Sequence, residues 1–212
     1  MKGLLILFVA IGVLVWSIGR AQSPTAIQNP LAQCVACHGM QGEGATTGVP
    51  RLAGQNAEYM SHALSMFKAG TRASPIMQPI AQTLSDAQMQ ELADYFSRQL
   101  PPPVDARVDV AAELVLAGKK LAEQGDGNVA PCFSCHADKG RGNGVRYPGI
   151  AAQPERFVID RLHEFQARAR AQAPQPGTMT AVAATLDESQ IEASAAYLSH
   201  LRPPPLAQGR TR

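Results

Sequence analysis

The sequence predicts an all-α chain of two similar domains in tandem, and three observations carry that expectation. The second half repeats the first. At an offset of 98 residues, Cys34, Cys37, His38, Gly42, Gly44, Pro50, Ala53, Gln55, Phe67 and Arg72 recur as Cys132, Cys135, His136, Gly140, Gly142, Pro148, Ala151, Gln153, Phe165 and Arg170. After four extra residues the offset becomes 102, and Met77, Leu84, Gln88, Ala93 and Tyr95 recur as Met179, Leu186, Gln190, Ala195 and Tyr197. Apolar residues in both halves follow the helical period, and no run of alternating or β-branched residues offers a strand.

Residues 1–21 read as an export signal. Lys2 supplies the positive end, residues 4–16 form an apolar run of 13, and Gly19 and Ala21 are the small residues before the cut. An uncleaved anchor is the rival reading, but the apolar stretch 4–18 has 15 residues, short of the roughly 20 that span a bilayer. Either way the domains lie outside the cytoplasm, and membrane association would run through residues 4–18 or through a partner. The first domain then covers 22–103 and the second 104–205, each ending in three prolines, with a disordered tail at 206–212. The first triple proline is a stiff joint.

Within each domain the elements follow in the same order. Residues 56–68 place Tyr59, Ala63, Leu64 and Phe67 on one helical stripe, and residues 155–166 do so with Phe157, Arg161, Leu162 and Phe165. Ser85 with Gln88 forms a capping box for the last helix of the first half, whose buried face is Met89, Leu92, Ala93 and Phe96. Asp187, Gln190, Ile191, Ala195 and Leu198 repeat that pattern. Glycine-rich loops at 39–54 and 139–149 precede the middle helices.

The motif that carries chemistry is Cys34-Val35-Ala36-Cys37-His38, repeated as Cys132-Phe133-Ser134-Cys135-His136. Two thiols three apart share one face of a helical turn and can form thioethers with the two vinyl groups of one porphyrin. The adjacent His then meets the iron, so this spacing marks covalent haem c attachment. The four cysteines of the chain are all used. A redox disulfide would want a βαβ setting, and a four-cysteine zinc site would leave both histidines without a role.

His38 and His136 are the expected proximal ligands. For the opposite face Met179 is the one methionine of the second half, and its repeat partner is Met77. Met40, Met60, Met66 and Met89 have no methionine counterpart. His62, His163 and His200 have no histidine counterpart, and exposed helix histidines are the alternative reading for them. Pro50 and Pro148, twelve residues after each His, are candidates to accept its other ring N–H; simple loop turning is the rival. Arg72 and Arg170 are candidate partners for haem propionates, against plain exposure, and Arg51 and Tyr147 carry the same ambiguity.

Charge narrows the partners. Of 19 basic and 17 acidic residues, Lys2 and Arg20 leave with the signal, so the mature chain is balanced. Nucleic-acid binding would want a concentrated basic face. Arg156, Arg161, Arg168 and Arg170 do gather, as solvated helix surface in preference to a docking patch for an acidic partner.

The arrangement resembles class I cytochromes c, and the tandem closely resembles the cytochrome c4 family. The likeness is carried by the two haem motifs, by Pro50-Arg51-Leu52-Ala53-Gly54-Gln55, and by Tyr59, Phe67, Gly70-Thr71-Arg72, Met77, Leu84-Ser85-Asp86 and Tyr95-Phe96, and it covers nearly all of residues 31–201. It implies two class I cytochrome c domains packed through their haem edges about a pseudo-twofold, with Pro50 and Pro148 holding the proximal histidines. It also implies a periplasmic dihaem electron carrier, not an enzyme. Its redox partners would be a quinol-oxidising complex, a terminal oxidase, a reductase or a dehydrogenase. A dedicated cytochrome subunit of a membrane-associated dehydrogenase is the alternative. A dihaem peroxidase would need an open or displaceable ligand, which paired Met77 and Met179 argue against. Two departures stand out. The second domain has an N-terminal helix over 111–124 in which Gly118 can approach Tyr197 closely, whereas the first has 12 residues between Ala21 and Cys34, interrupted by Pro30. The second domain also reads Gly149-Ile150-Ala151-Ala152-Gln153 where the first has Leu-Ala-Gly-Gln.

Overall fold

The computed structural model describes residues 25–100 and 111–202, with side chains from Pro30 onward. The export signal, both triple prolines and the tail lie outside the described residues, and among those residues no helix is long and apolar enough to cross a membrane. The described residues are helical, with isolated bridges in place of strands; Ala45–Val49 and Asn143–Tyr147 pair at the same place in each repeat.

The first half consists of α1 (Thr25–His38), α2 (Ala57–Lys68), α3 (Met77–Gln82) and α4 (Asp86–Ser97). The second consists of α5 (Ala112–Gln124), α6 (Cys132–His136), α7 (Glu155–Ala171), α8 (Met179–Ala183) and α9 (Glu188–His200). Helices α2, α3 and α4 thus correspond to α7, α8 and α9. Both capping boxes form as the sequence indicated, with Ser85 accepting from the Gln88 N–H and Asp187 from the Gln190 N–H. The buried face of α4 is Met89, Leu92, Ala93 and Phe96, and that of α9 includes Ile191, Ala195 and Leu198.

The halves differ in two places, each for a local reason. In the first half one helix, α1, runs through Pro30 and straight into the haem motif. In the second, α5 stops at Gly125 (φ +75°) and the motif forms its own short helix. Helix α7 also runs to Ala171, five residues past the expected 166. Gly70 (φ +73°) turns the chain just after α2, whereas its counterpart Arg168 and its neighbours are good helix formers.

These differences shape the cores. The second half has one apolar cluster centred on Leu121, Leu162, Ile191 and Leu198. It depends on the crossing of α5 and α9, where Gly118 brings the helices together: a Cβ there would stand 2.7 Å from Tyr197 Cβ and run into the Ala193 carbonyl. The first half has two smaller clusters, Met60 with Ala93 and Phe96, and Leu84 with Met89 and Leu92; Leu31 and Cys34 pack against both. Domains of this size have marginal cores, and a buried macrocycle would enlarge each.

Candidate functional site

Each half presents its two cysteines on a helical turn. Cys34 is half-buried against both first-half clusters and Cys37 is exposed; Cys132 and Cys135 repeat that contrast. No disulfide joins any of them. Burial pushes the thiols of Cys34 and Cys132 up to about 11. Among the described residues no three Cys, His, Asp or Glu side chains converge, which removes the four-cysteine zinc alternative.

His38 and His136 are 7 % and 6 % exposed. The Nδ1 of His38 lies 2.9 Å from the Pro50 carbonyl oxygen, and that of His136 lies 2.8 Å from Pro148. A prolyl carbonyl can only accept, so Nδ1 carries the proton and Nε2 keeps its lone pair. Burial holds both imidazoles below their ordinary value, partly countered by the proline carbonyls. Both therefore present the neutral form that binds a metal.

Glycine brings each proline against its histidine. The Gly44 N–H donates to the His38 carbonyl at 2.9 Å, and the Gly142 N–H to that of His136 at 2.8 Å. Both glycines have positive φ, +79° and +88°, and a Cβ on Gly142 would stand 2.8 Å from the Pro148 carbonyl carbon. The Gly42 carbonyl then accepts from the N–H groups of Leu52 and Ala53, and Gly140 does the same for Ile150 and Ala151. The repeated glycines are the hinge of the loop.

Met77 opens α3 and Met179 opens α8, and both are half-buried. The Met77 N–H donates to Ser74 Oγ at 3.0 Å, and Thr178 caps the helix that Met179 begins. Met179 packs against the second-half core. Met60 and Met89 are buried in the first-half clusters, and Met40 is exposed. His62 is exposed on α2, His163 pairs with Glu188 at 2.9 Å, and His200 Nδ1 lies 2.8 Å from the Ala196 carbonyl. Tyr147 sets its ring edge-on to His136, 6.2 Å between centroids.

The arginines separate clearly. Arg72 is half-buried, stacked 4.5 Å over the Phe67 ring, with Nη1 3.3 Å from the Tyr59 hydroxyl. Arg170 is exposed without a polar partner among the described residues. Arg51, which the sequence left ambiguous, is 3 % exposed and donates to the carbonyls of Ala53 and Ala151. Burial pushes its guanidinium down to about 10. Burial and then the nearby Arg72 push Arg161 down to about 10, and Arg161 pairs with Glu164. The Nε atoms of Arg51 and Arg72 are buried without a partner.

Such guanidiniums are costly to bury without a counter-charge. Haem c brings propionates as well as an iron that needs the free imidazole Nε2 and vinyl groups that need the thiols. The residues fit the group on all three counts.

Two glutamines join the halves. Gln153 Oε1 accepts from the Arg51 N–H at 3.0 Å and its Nε2 donates to the Arg51 carbonyl at 3.1 Å. Gln55 binds Gly149 in the same way, at 2.7 and 2.9 Å. The offset of 98 converts one set into the other, which is the signature of a pseudo-twofold axis. Both glutamines recur in the repeat, but no neighbouring residue in the sequence assigns them a role. The available signal was an amide kept beside small apolar residues, Ala-Gly in one half and Ala-Ala in the other.

The cytochrome c family profile matches twice, at residues 28–98 and 115–202. A cytochrome c4 of Azotobacter vinelandii is 32 % identical over 214 residues, covering 94 % of this chain and 99 % of the relative. A protein of Stutzerimonas stutzeri (strain A1501) named thiosulfate dehydrogenase electron acceptor is 33 % identical over 177 residues, 82 % and 81 % of the two chains. The solved cytochrome c4 of Acidithiobacillus ferrooxidans superposes with a TM-score of 0.71 at 34 % identity, covering 80 % of this chain and 99 % of that one. A cytochrome c unit present twice, over the whole length of solved and curated cytochromes c4, makes this chain a member of the cytochrome c4 family: a dihaem electron-transfer cytochrome with two covalently attached haem c groups.

Proposed function

We propose that this cytochrome is a periplasmic carrier of single electrons between respiratory redox proteins, with one iron held between His38 and Met77 and the other between His136 and Met179. The observation that carries this reading is the sameness of the two halves. In each, a buried imidazole is tied by Nδ1 to a prolyl carbonyl, and a half-buried methionine opens the short helix before the last one. The domains would extend over 22–103 and 104–205.

The bound haem supplies the reversible ferric–ferrous couple, and a thioether ligand favours the ferrous form. The protein's residues do the rest. Cys34, Cys37, Cys132 and Cys135 anchor the macrocycles. Pro50 and Pro148 fix the orientation and basicity of each imidazole. Arg51 and Arg72 offset propionate charge, with exposed Arg170 a weaker candidate. Met77 and Met179 would each supply a thioether ligand to an iron, which would leave no open position for a substrate and call for no catalytic residue. A quinol-oxidising complex or dehydrogenase would deliver electrons, and a terminal oxidase or reductase would withdraw them.

Potentiometric titration of the purified holoprotein should give two reversible one-electron waves without ligand exchange. Rapid peroxide turnover, or high-spin ferric iron at rest, would refute the carrier reading in favour of a peroxidase.

A second reading is favoured by one specific finding, the relative named thiosulfate dehydrogenase electron acceptor. On that reading this chain is the dedicated acceptor of a periplasmic dehydrogenase. Purification from the native periplasm and membranes separates the two: a stoichiometric dehydrogenase supports the subunit, and a free protein supports the mobile carrier.

A further inference from the structure

Two crossed hydrogen-bond chains start at the glutamines of the junction and end at the histidines. In the first, the Pro50–Arg51 peptide unit accepts from His38 Nδ1 through its carbonyl at 2.9 Å. The N–H of that same unit donates to Gln153 Oε1 at 3.0 Å. In the second, the Pro148–Gly149 unit accepts from His136 Nδ1 at 2.8 Å and donates to Gln55 Oε1 at 2.7 Å. Each glutamine is 4 % exposed. Its Nε2 is bonded to the carbonyl of the residue it accepts from, so the amide cannot turn over. Gln153 Nε2 also lies 3.5 Å from the Gly149 carbonyl, where the two chains come together.

We infer that Gln153 and Gln55 are positioning residues that tune the iron ligand of the opposite domain, Gln153 acting on His38 and Gln55 on His136. The inference rests on the ligand roles proposed above for those histidines. A peptide unit whose N–H is engaged is polarised toward its oxygen, and hydrogen bonds in series strengthen one another in a low-dielectric interior. A stronger acceptor on Nδ1–H makes Nε2 a more basic ligand, which favours ferric iron. Each domain therefore holds down the potential of its neighbour's haem. Simple adhesion between halves could use any pair of backbone groups. Here each glutamine accepts from the one peptide unit of the opposite half that already holds a histidine. Docking or separation of the domains would change both potentials through these chains.

The test uses holoprotein with the two haems resolved by domain, through the shifted axial-methionine methyl resonances, alongside the His Nδ1–H resonances of the ferrous state. Gln153→Leu should raise the midpoint of the His38 haem, seen as a several-fold higher ferrous-to-ferric ratio at fixed potential. It should move the His38 Nδ1–H signal and leave His136 nearly unchanged. Gln55→Leu should do the reverse. Gln153→Glu puts a charged acceptor at Oε1 and should shift the His38 Nδ1–H signal toward a stronger bond and lower the midpoint of that haem, with His136 nearly unchanged; it serves if the leucine variant fails to fold. The inference is overturned if both haems move together in every variant, if the affected histidine belongs to the mutated domain, or if nothing moves. A wild-type protein without two histidine-bound haems would instead strike the ligand assignment.

Discussion

Arg51 Nη2 donates to the carbonyl of Ala151 at 2.7 Å, while Nη1 of the same guanidinium donates to Ala53, the repeat counterpart of Ala151. One side chain thus bridges equivalent carbonyls of both halves. A position on a twofold axis has room for a single side chain, and the counterpart of Arg51 is Gly149. A Cβ on Gly149 would stand 3.0 Å from the Arg141 carbonyl oxygen and 3.2 Å from Gln55 Oε1. Arg51→Met should leave both buried carbonyls without that donor and weaken the junction by about 1–3 kcal/mol. Denaturant unfolding of the holoprotein would show this as a lower midpoint for both domains. Unshifted midpoints would contradict it.

Gly118 carries the α5–α9 crossing. Gly118→Ala should destabilise the second domain by about 1–3 kcal/mol, the usual range for overpacking, because the new Cβ meets Tyr197 Cβ at 2.7 Å and the Ala193 carbonyl besides. The corresponding contact of the first domain, α1 against α4, contains no glycine and is untouched by the substitution, so its thermal transition should not move.

Gly142→Ala acts on the haem site by steric means. The left-handed conformation at φ +88° costs a residue with a Cβ about 1–2 kcal/mol, and the Cβ also presses on the Pro148 carbonyl carbon. The expected result is a lengthened His136–Pro148 hydrogen bond. The ferrous His136 Nδ1–H resonance should move upfield, with His38 unaffected.

Ser85→Ala removes the side-chain acceptor of the Gln88 N–H at the start of α4. Loss of such a cap costs about 1 kcal/mol. Calorimetry should show the first domain melting earlier while the visible spectrum stays that of the parent.

Features encoded by neighbouring residues were legible in the sequence. The capping boxes at Ser85 and Asp187 depend on residues three apart, and the buried faces of α4 and α9 follow from one helical period. The haem motifs are equally local. The Gly118 approach to Tyr197 was readable because a glycine inside a long helix pattern needs a packing reason. Features that depend on how the halves meet were not legible. Arg51 and Arg72 looked alike in the sequence, yet Arg51 is buried at the junction, Arg72 is half-buried, and Arg170 stands in solvent. Gln55 and Gln153 recur in the repeat, but their partners Gly149 and Arg51 lie 94 and 102 residues away. The run of α1 through Pro30, and the extra length of α7 where Arg168 replaces Gly70, turned on single residues weighed against tertiary packing.

The most direct measurement is a haem count on the purified ferric protein combined with its optical and magnetic spectra. Two covalent haems per chain, both low-spin, and a far-red sulfur-to-iron band that falls by half in Met77→Ala and by half in Met179→Ala are the predicted result. A single haem, or a band untouched by either substitution, would contradict the ligand set on which the proposed electron path depends.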